Sequence, residues 1–334
     1  MWMNKCFRPL LVLVLLAATG AGCTGRLLPQ KEATAPRRGR YVVIATATAD
    51  DSLASLARTY LKDERRAWQI AAYNNINTVT AGQKVVIPLK PVLPGGLQTS
   101  GYQTIPVLLY DRLDAGASKK NGMSAADFER QLQYLKNRGF TTLGLDEFHD
   151  FTALKAWLPP LSVLICLDST ERWVYDLAYP LLNRYGMRAA VFVAADSVGG
   201  KGRMTWEQLS QMARAGISIG TCGMTGRNLI RARRGEAPED YLERIETEVR
   251  DARRIMEKRL NRPCPDFAYP DGAFNDFLIA LLKKYGYRSG YTRESGSNPF
   301  FVDDFKIRRS VAAATWDSKA LQKHLATFHR LELQ

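Results

Sequence analysis

The sequence predicts an α/β fold in which parallel strands close, or nearly close, into a distorted (β/α) barrel, preceded by a small βααβ module. Three observations predict it. From Thr104 onward, apolar strand-like runs alternate with helical patterns, an order that packs helices on the faces of a parallel sheet. The stretch from Tyr41 to Pro88 reads instead as strand, helix, helix, strand. Between the two lies Leu93-Pro94-Gly95-Gly96, the punctuation of a linker. With 334 residues and 46% hydrophobic content, the chain holds enough apolar surface for two cores, which excludes a disordered protein.

At the N-terminus, Lys5 and Arg8 precede an apolar run from Leu10 to Ala18 and the small residues Gly20-Ala21-Gly22 before Cys23. This is an export-signal pattern, too short for a spanning helix. Residues 1–22 are assigned to it and 23–40 to a polar tether. In the module, Tyr41 to Ile44 forms a strand. Asp50-Asp51-Ser52-Leu53 then opens a helix, because Asp or Ser supplies an N-cap and Leu53, Leu56, Ala57 and Tyr60 recur at helical spacing. A second helix covers 66–73, and Gly82 to Pro88 gives a turn and a strand. The module spans 41–89 and the linker 90–102.

The barrel domain, 103–334, carries strands at 105–110, 141–145, 162–167, 189–194, 218–220, 267–269 and 288–291. The helices between and after them fall at 125–137, 146–157, 174–185, 205–215, 238–260, 275–285 and from Ser318. Working groups in such barrels sit at the carboxyl ends of strands. Asp168, Cys222 and Asp271 fall there.

The formal charge of +14 points to anionic surroundings such as a membrane surface or an acidic glycan, and Arg227, Arg231, Arg233 and Arg234 form the densest basic cluster. An exported chain makes nucleic acid an unexpected partner. With Cys6 in the signal and Cys23 at the new terminus, Cys166, Cys222 and Cys264 remain, an odd number that cannot make a disulfide framework. The default for each is a small buried hydrophobe. A single bridge between Cys166 and Cys222 stays open.

The N-terminal segment resembles a bacterial lipoprotein signal, which implies a lipid anchor at Cys23 on an envelope membrane, the outer one if the host is Gram-negative. The module resembles the LysM domain through Tyr41-Val42-Val43, Asp51-Ser52-Leu53, Asn74-Asn75-Ile76 and Ala81 to Pro88. That resemblance implies binding of N-acetylglucosamine glycans, peptidoglycan among them, by Asp51, Ser52, Asn75, Ile76 and Asn77.

The barrel resembles the NodB-homology polysaccharide deacetylases (carbohydrate esterase family 4). The resemblance rests on Val163 to Thr170, Tyr179 to Val193, Met204 to Leu209, Ile219 to Gly226 and Phe267 to Gly272. Zinc-dependent removal of acetyl groups is the activity it implies. Asp168 stands at the family's catalytic-base position, but the three zinc-ligand positions hold Ser169, Cys222 and Gly226. At most one of these is a strong ligand, and losing even one ligand removes much of a metal site's affinity. Asp271 replaces the aromatic residue whose backbone N–H helps form the family's oxyanion hole, and a carboxylate there would oppose a developing anion. Asp168 is then either a hydrogen-bond acceptor for a sugar in a retained cleft or a relict satisfied by backbone N–H groups. His149, His324 and His329 lie outside the family motifs and read as surface or helix-end residues.

The expectation is a cell-envelope lipoprotein that binds peptidoglycan or another N-acetylglucosamine glycan, with a barrel inactive as a metal-dependent hydrolase and no cofactor. One alternative is an active N-deacetylase with an atypical site, holding zinc or a metal on Asp168, Cys166 and Cys222. Another is a scaffold for an envelope protein partner.

Overall fold

The computed structural model describes residues 36–39, 41–90, 94–98, 101–114 and 123–331. The export signal and Cys23 lie outside them. Among the described residues no helix is long and apolar enough to cross a membrane.

The module is built from β1 (Arg37–Arg38), β2 (Val42–Thr46), α1 (Leu53–Leu56), α2 (Ala67–Asn74) and β3 (Lys84–Pro88). The end of the expected tether is therefore structured: Arg37 and Arg38 add an antiparallel edge strand to β2. Strands β2 and β3 pair antiparallel, Ile44 opposite Val86. Val43, Ala45, Val85 and Ile87 point into a core shared with Leu56, Ala57, Leu61 and Ile70, the alternation that period-two strands impose. Ser52 caps α1 by accepting from the Ser55 N–H at 3.0 Å. Asn74 locks α2 onto β3: its Nδ2 donates to the Ile70 and Val86 carbonyls at 2.8 and 2.7 Å, and its Oδ1 accepts from the Val86 N–H at 2.9 Å.

The barrel strands are β4 (Gly101–Tyr110), β5 (Ser162–Asp168), β6 (Ala190–Val193), β7 (Ser218–Thr221), β8 (Asp266–Ala268) and β9 (Ser289–Tyr291). They lie side by side in that order and all parallel. Four shorter strands join β4: Leu97–Gln98, β10 (Ser297–Pro299) and β12 (Phe328–Arg330), all antiparallel, and β11 (Ser310–Val311), parallel. Closure comes from the segment entering β11. The Ile307 N–H donates to Gly290 O, and the Thr292 N–H to Ile307 O, on the β9 side; Ser310 and Val311 then pair with Leu108 and Leu109.

Seven helices cover the outside: α3 (Ala125–Asn137), α4 (Leu145–Thr152), α5 (Tyr179–Tyr185), α6 (Trp206–Arg214), α7 (Pro238–Leu260), α8 (Asp276–Lys284) and α9 (Ser318–Lys323). Strand β5 is buried on both faces, which explains its unbroken apolar run. Val163, Ile165 and Leu167 meet the helices, whereas Leu164 and Cys166 face the barrel interior with Phe192 and Tyr291. By the same alternation Asp168 faces inward too. Gly220 has no side chain because one would sit 2.5 Å from the Phe192 ring.

The expected strand at 141–145 is shorter: only Thr141 and Thr142 pair, with Ser162 and Val163, and Leu145 begins α4. The apolar run there is helix, since Leu145, Phe148 and Phe151 are buried at helical spacing. His149 of this helix is not the surface residue expected. Its side chain is only 12% exposed, with Nε2 2.9 Å from Asp266 Oδ1. Arg288 grips the same carboxylate through Nε and a second nitrogen at 3.0 and 2.8 Å, and Ser289 Oγ donates to it at 2.7 Å. His324 is half-buried and stacks on Trp316 at 4.0 Å.

The module meets the barrel through Trp68 of α2 and Trp157, whose rings pack edge to face with centroids 4.8 Å apart. Trp157 precedes β5, so this contact lies at the amino ends of the barrel strands.

Candidate functional site

At the carboxyl end of β5, Asp168 is held by a residue that the sequence reading did not single out. Arg309, completely buried, places two guanidinium nitrogens 2.7 Å from the two carboxylate oxygens. Its Nε donates to the Thr292 carbonyl at 2.7 Å. Burial opposes the guanidinium charge, but Asp168 and Cys166 outweigh burial and raise its pKa. Asp168 is thus satisfied by a side-chain cation, not by the backbone N–H groups that one of its two sequence readings expects. A carboxylate offers about four lone-pair sites, and its side chain is 17% exposed, so it retains capacity to accept from a ligand. The available signal for Arg309 was a cation beside the strand that closes the barrel, a pairing that only the β11 register makes visible.

Ser169 follows, with its Oγ accepting from the Glu171 N–H at 3.0 Å. Cys222 directly follows β7, which is separated from β5 by β6, and its N–H is bonded to the Val193 carbonyl of β6 at 3.0 Å. It is half-buried and free, as Cys166 and Cys264 are free and buried; the Cys166–Cys222 bridge is not formed. Burial, with the Asp168 charge adding to it, pushes the Cys222 thiol up to about 12, and burial does the same to Cys166. Both are protonated at neutral pH. Gly226 lies beside Cys222 at φ 68°; a Cβ there would stand 3.5 Å from Cys222 Sγ and 3.1 Å from Ala194 Cβ. The structure therefore brings Asp168, Cys222 and Gly226 together at the carboxyl ends of the strands, with Ser169 next to Asp168 in sequence.

The loop carrying Cys222 and Gly226 is shaped from below by Glu248 of α7, a second residue missed in the sequence. Its buried carboxylate accepts from Thr225 N–H and Oγ at 2.9 and 2.6 Å. Asp271 sits in a tight turn at φ 57°, and Asn228 Nδ2 approaches it at 3.4 Å. Asp111 pairs with Arg293 at 2.5 Å, and Arg293 packs against the backbone of Gly272.

A metal is what the fold would suggest here, and the donor set does not fit one. Gly226 has no donor, Ser169 offers only a hydroxyl that already accepts from the Glu171 N–H, and Cys222 is the one residue of the three that zinc takes readily, whereas a zinc site needs at least three protein ligands. Among the described residues no group of three or more His, Cys, Asp or Glu is placed to hold a metal ion. The arrangement offers one anchored acceptor, Asp168, at the carboxyl end of β5.

In the module, Asp51 accepts from Thr48 N–H and Oγ, both at 2.8 Å, and from Ser55 Oγ, which lowers its pKa. Ser52 is the helix cap. Asn75 closes α2 at φ 52° and is exposed with Asn77, while Ile76 packs partly into the module core. No hydrogen bond among the described residues joins the Asp51–Ser52 loop to the Asn75–Asn77 loop.

Residues 158–290 match the polysaccharide deacetylase family. YxkH of Bacillus subtilis (strain 168), a polysaccharide deacetylase by name, is 27% identical over 201 residues, covering 60% of this chain and 68% of its own. A poly-beta-1,6-N-acetyl-D-glucosamine N-deacetylase of Staphylococcus aureus (strain MRSA252) is 25% identical over 195 residues, covering 55% of this chain and 67% of its own. Among solved structures, a Streptococcus pyogenes deacetylase in complex with acetate superposes with a TM-score of 0.60 at 22% identity, covering 66% of this chain and 98% of that one. A de-N-acetylase from Aggregatibacter actinomycetemcomitans gives 0.60 at 17%, covering 66% and 100%. The α/β barrel thus shares the fold of these NodB-type deacetylase structures.

Proposed function

We propose that this chain is a cell-envelope glycan-binding protein, lipid-anchored through Cys23, whose deacetylase-type barrel has given up metal-dependent hydrolysis. The observation that carries the reading is the donor set around Asp168: a backbone-engaged Ser169, a lone Cys222 thiol and a side-chain-free Gly226. Deacetylation of this kind uses a metal to polarise the acetyl carbonyl and activate water, and these residues supply no such site. Asp168, held rigidly by Arg309, serves as an acceptor for a sugar hydroxyl or acetamido N–H. The relatives named for N-acetylglucosamine polymers support that choice of glycan. The module, with Asn75 and Asn77 exposed, is the second glycan contact, as its LysM resemblance implies.

The test is metal analysis of the purified chain together with an acetate-release assay on N-acetylglucosamine oligomers and a pull-down with insoluble peptidoglycan. Substoichiometric zinc, no acetate release and retention on the wall are the expected results. One tightly held metal per chain with hydrolysis abolished by Asp168→Asn would establish an enzyme with a rebuilt site instead.

A further inference from the structure

A cavity of about 430 Å³ opens on the flank of the barrel where β4, β10 and β12 meet the end of α9, within the roughly 300–1,000 Å³ usual for small-molecule sites. It is separate from Asp168, and the chain itself divides the two. Consecutive arginines take opposite sides: Arg309 turns inward to Asp168, whereas Arg308 lines the flank cavity.

The lining combines two kinds of group. Arg308 and Lys323 are exposed cations with no carboxylate partner among the described residues, and no Asp or Glu lines the cavity. Fixed positive charge without a compensating acid makes the interior attractive to an anion. Around it stand Tyr102, Phe301, Phe328 and His329. Tyr102 stacks on His329 at 4.9 Å and meets Phe301 edge to face at 5.2 Å. Phe301 is 60% exposed, far more than a core ring, and presents a surface on which the C–H face of a sugar ring can lie. The site is firm, because Arg308 is fixed through its backbone: Asn298 accepts from its N–H at 2.9 Å and donates to its carbonyl at 3.0 Å.

We propose that this cavity is a second saccharide site, selective for a pyranose bearing an anionic group, carboxylate or phosphate. The choice of a sugar over another flat anion rests on the glycan reading of the barrel; the charge selectivity rests on Arg308 and Lys323 alone.

The experiment is isothermal titration of the full chain in detergent with glucuronic acid, N-acetylglucosamine 6-phosphate, neutral N-acetylglucosamine and adenosine monophosphate. The anionic sugars should bind, weaken as salt is raised, and exceed the neutral sugar by about tenfold, the scale of one charge-assisted contact. Their order separates an acidic glycan from a phosphosugar as the source. Arg308→Gln, Lys323→Gln and Phe301→Ala alter exposed side chains only, and each should reduce binding about fivefold or more. Equal affinity for the neutral sugar, unchanged binding in all three variants, no binding of either anionic sugar, or a preference for the nucleotide would overturn the proposal. If the chain is retained on peptidoglycan while the anionic sugars fail, only this site is lost. If they bind through Arg308 while the chain proves to be a metal-dependent hydrolase, the site stands and the reading of Asp168 falls.

Discussion

The Arg309 guanidinium meets the Asp168 carboxylate at two points, both 2.7 Å, from a position with no solvent exposure. Removing one partner of such a pair leaves the other charged and poorly solvated, which costs roughly 3–5 kcal/mol. Arg309→Met should therefore destabilise the barrel by about that amount in urea unfolding, and the double change Arg309→Met with Asp168→Leu by less than the sum of the singles. A loss below about 1 kcal/mol would mean that water, not the pair, sets the energy there.

Asp266 gives the barrel an acid-side dependence. Burial alone would raise its pKa, but the His149 and Arg288 contacts prevail and hold it lowered, at about 2. A folded value below the ordinary 3.8 means that its stabilisation is complete above about pH 4 to 5 and is lost as pH falls toward 2. The size is on the order of 2 kcal/mol. Asp266→Asn should flatten the stability curve between about pH 4 and pH 2, besides lowering it overall. A slope identical to that of the native chain would remove this group from the account.

Rebuilding the metal site meets a backbone obstacle. Ser169→Asp with Cys222→His should fold normally and gain partial zinc affinity. Adding Gly226→His supplies the third ligand, yet it places a side chain at φ 68° with its Cβ 3.1 Å from Ala194. We expect the triple variant to bind zinc about stoichiometrically while losing at least about 1–2 kcal/mol of stability without metal. Calorimetric melting with and without zinc, alongside elemental analysis, checks both parts; a triple variant that melts like the native chain and holds no zinc would contradict them.

Asn74 is the small module's tie between helix and strand. Asn74→Ala removes the side-chain partner of the Val86 carbonyl and N–H, and at about 1–3 kcal/mol for an unmet buried group the module should lose about 2 kcal/mol or more. The exposed Asn77→Ala should stay within about 0.5 kcal/mol. Hydrogen exchange of the Val86 amide, fast in the first variant and native-like in the second, is the direct readout.

Much of this was legible along the chain because β5, β6 and α7 carry strong periodic signals: α3 and α7 begin and end where their patterns place them. The short strands at Ser297, Ser310 and Phe328 were not legible. Each has two or three residues, too few for a period, and is fixed by pairing with β4. The same applies to the site. The substitutions Ser169, Cys222 and Gly226 could be read from motif positions, whereas Arg309 and Glu248 act across 141 and 23 residues of sequence. His149 was misjudged for the same reason, since its partner Asp266 is 117 residues away.

The edge-to-face contact of Trp68 with Trp157 fixes which end of the barrel the module occupies. Strand β5 runs from beside that contact to Asp168, and its seven residues span about 20 Å at 3.3 Å each. A single straight polysaccharide strand held at the module would have to bend round the whole barrel wall to reach Asp168. On the glycan-binding reading proposed above, the two ends would hold different strands, or distant stretches of one, with the length of the barrel wall between them.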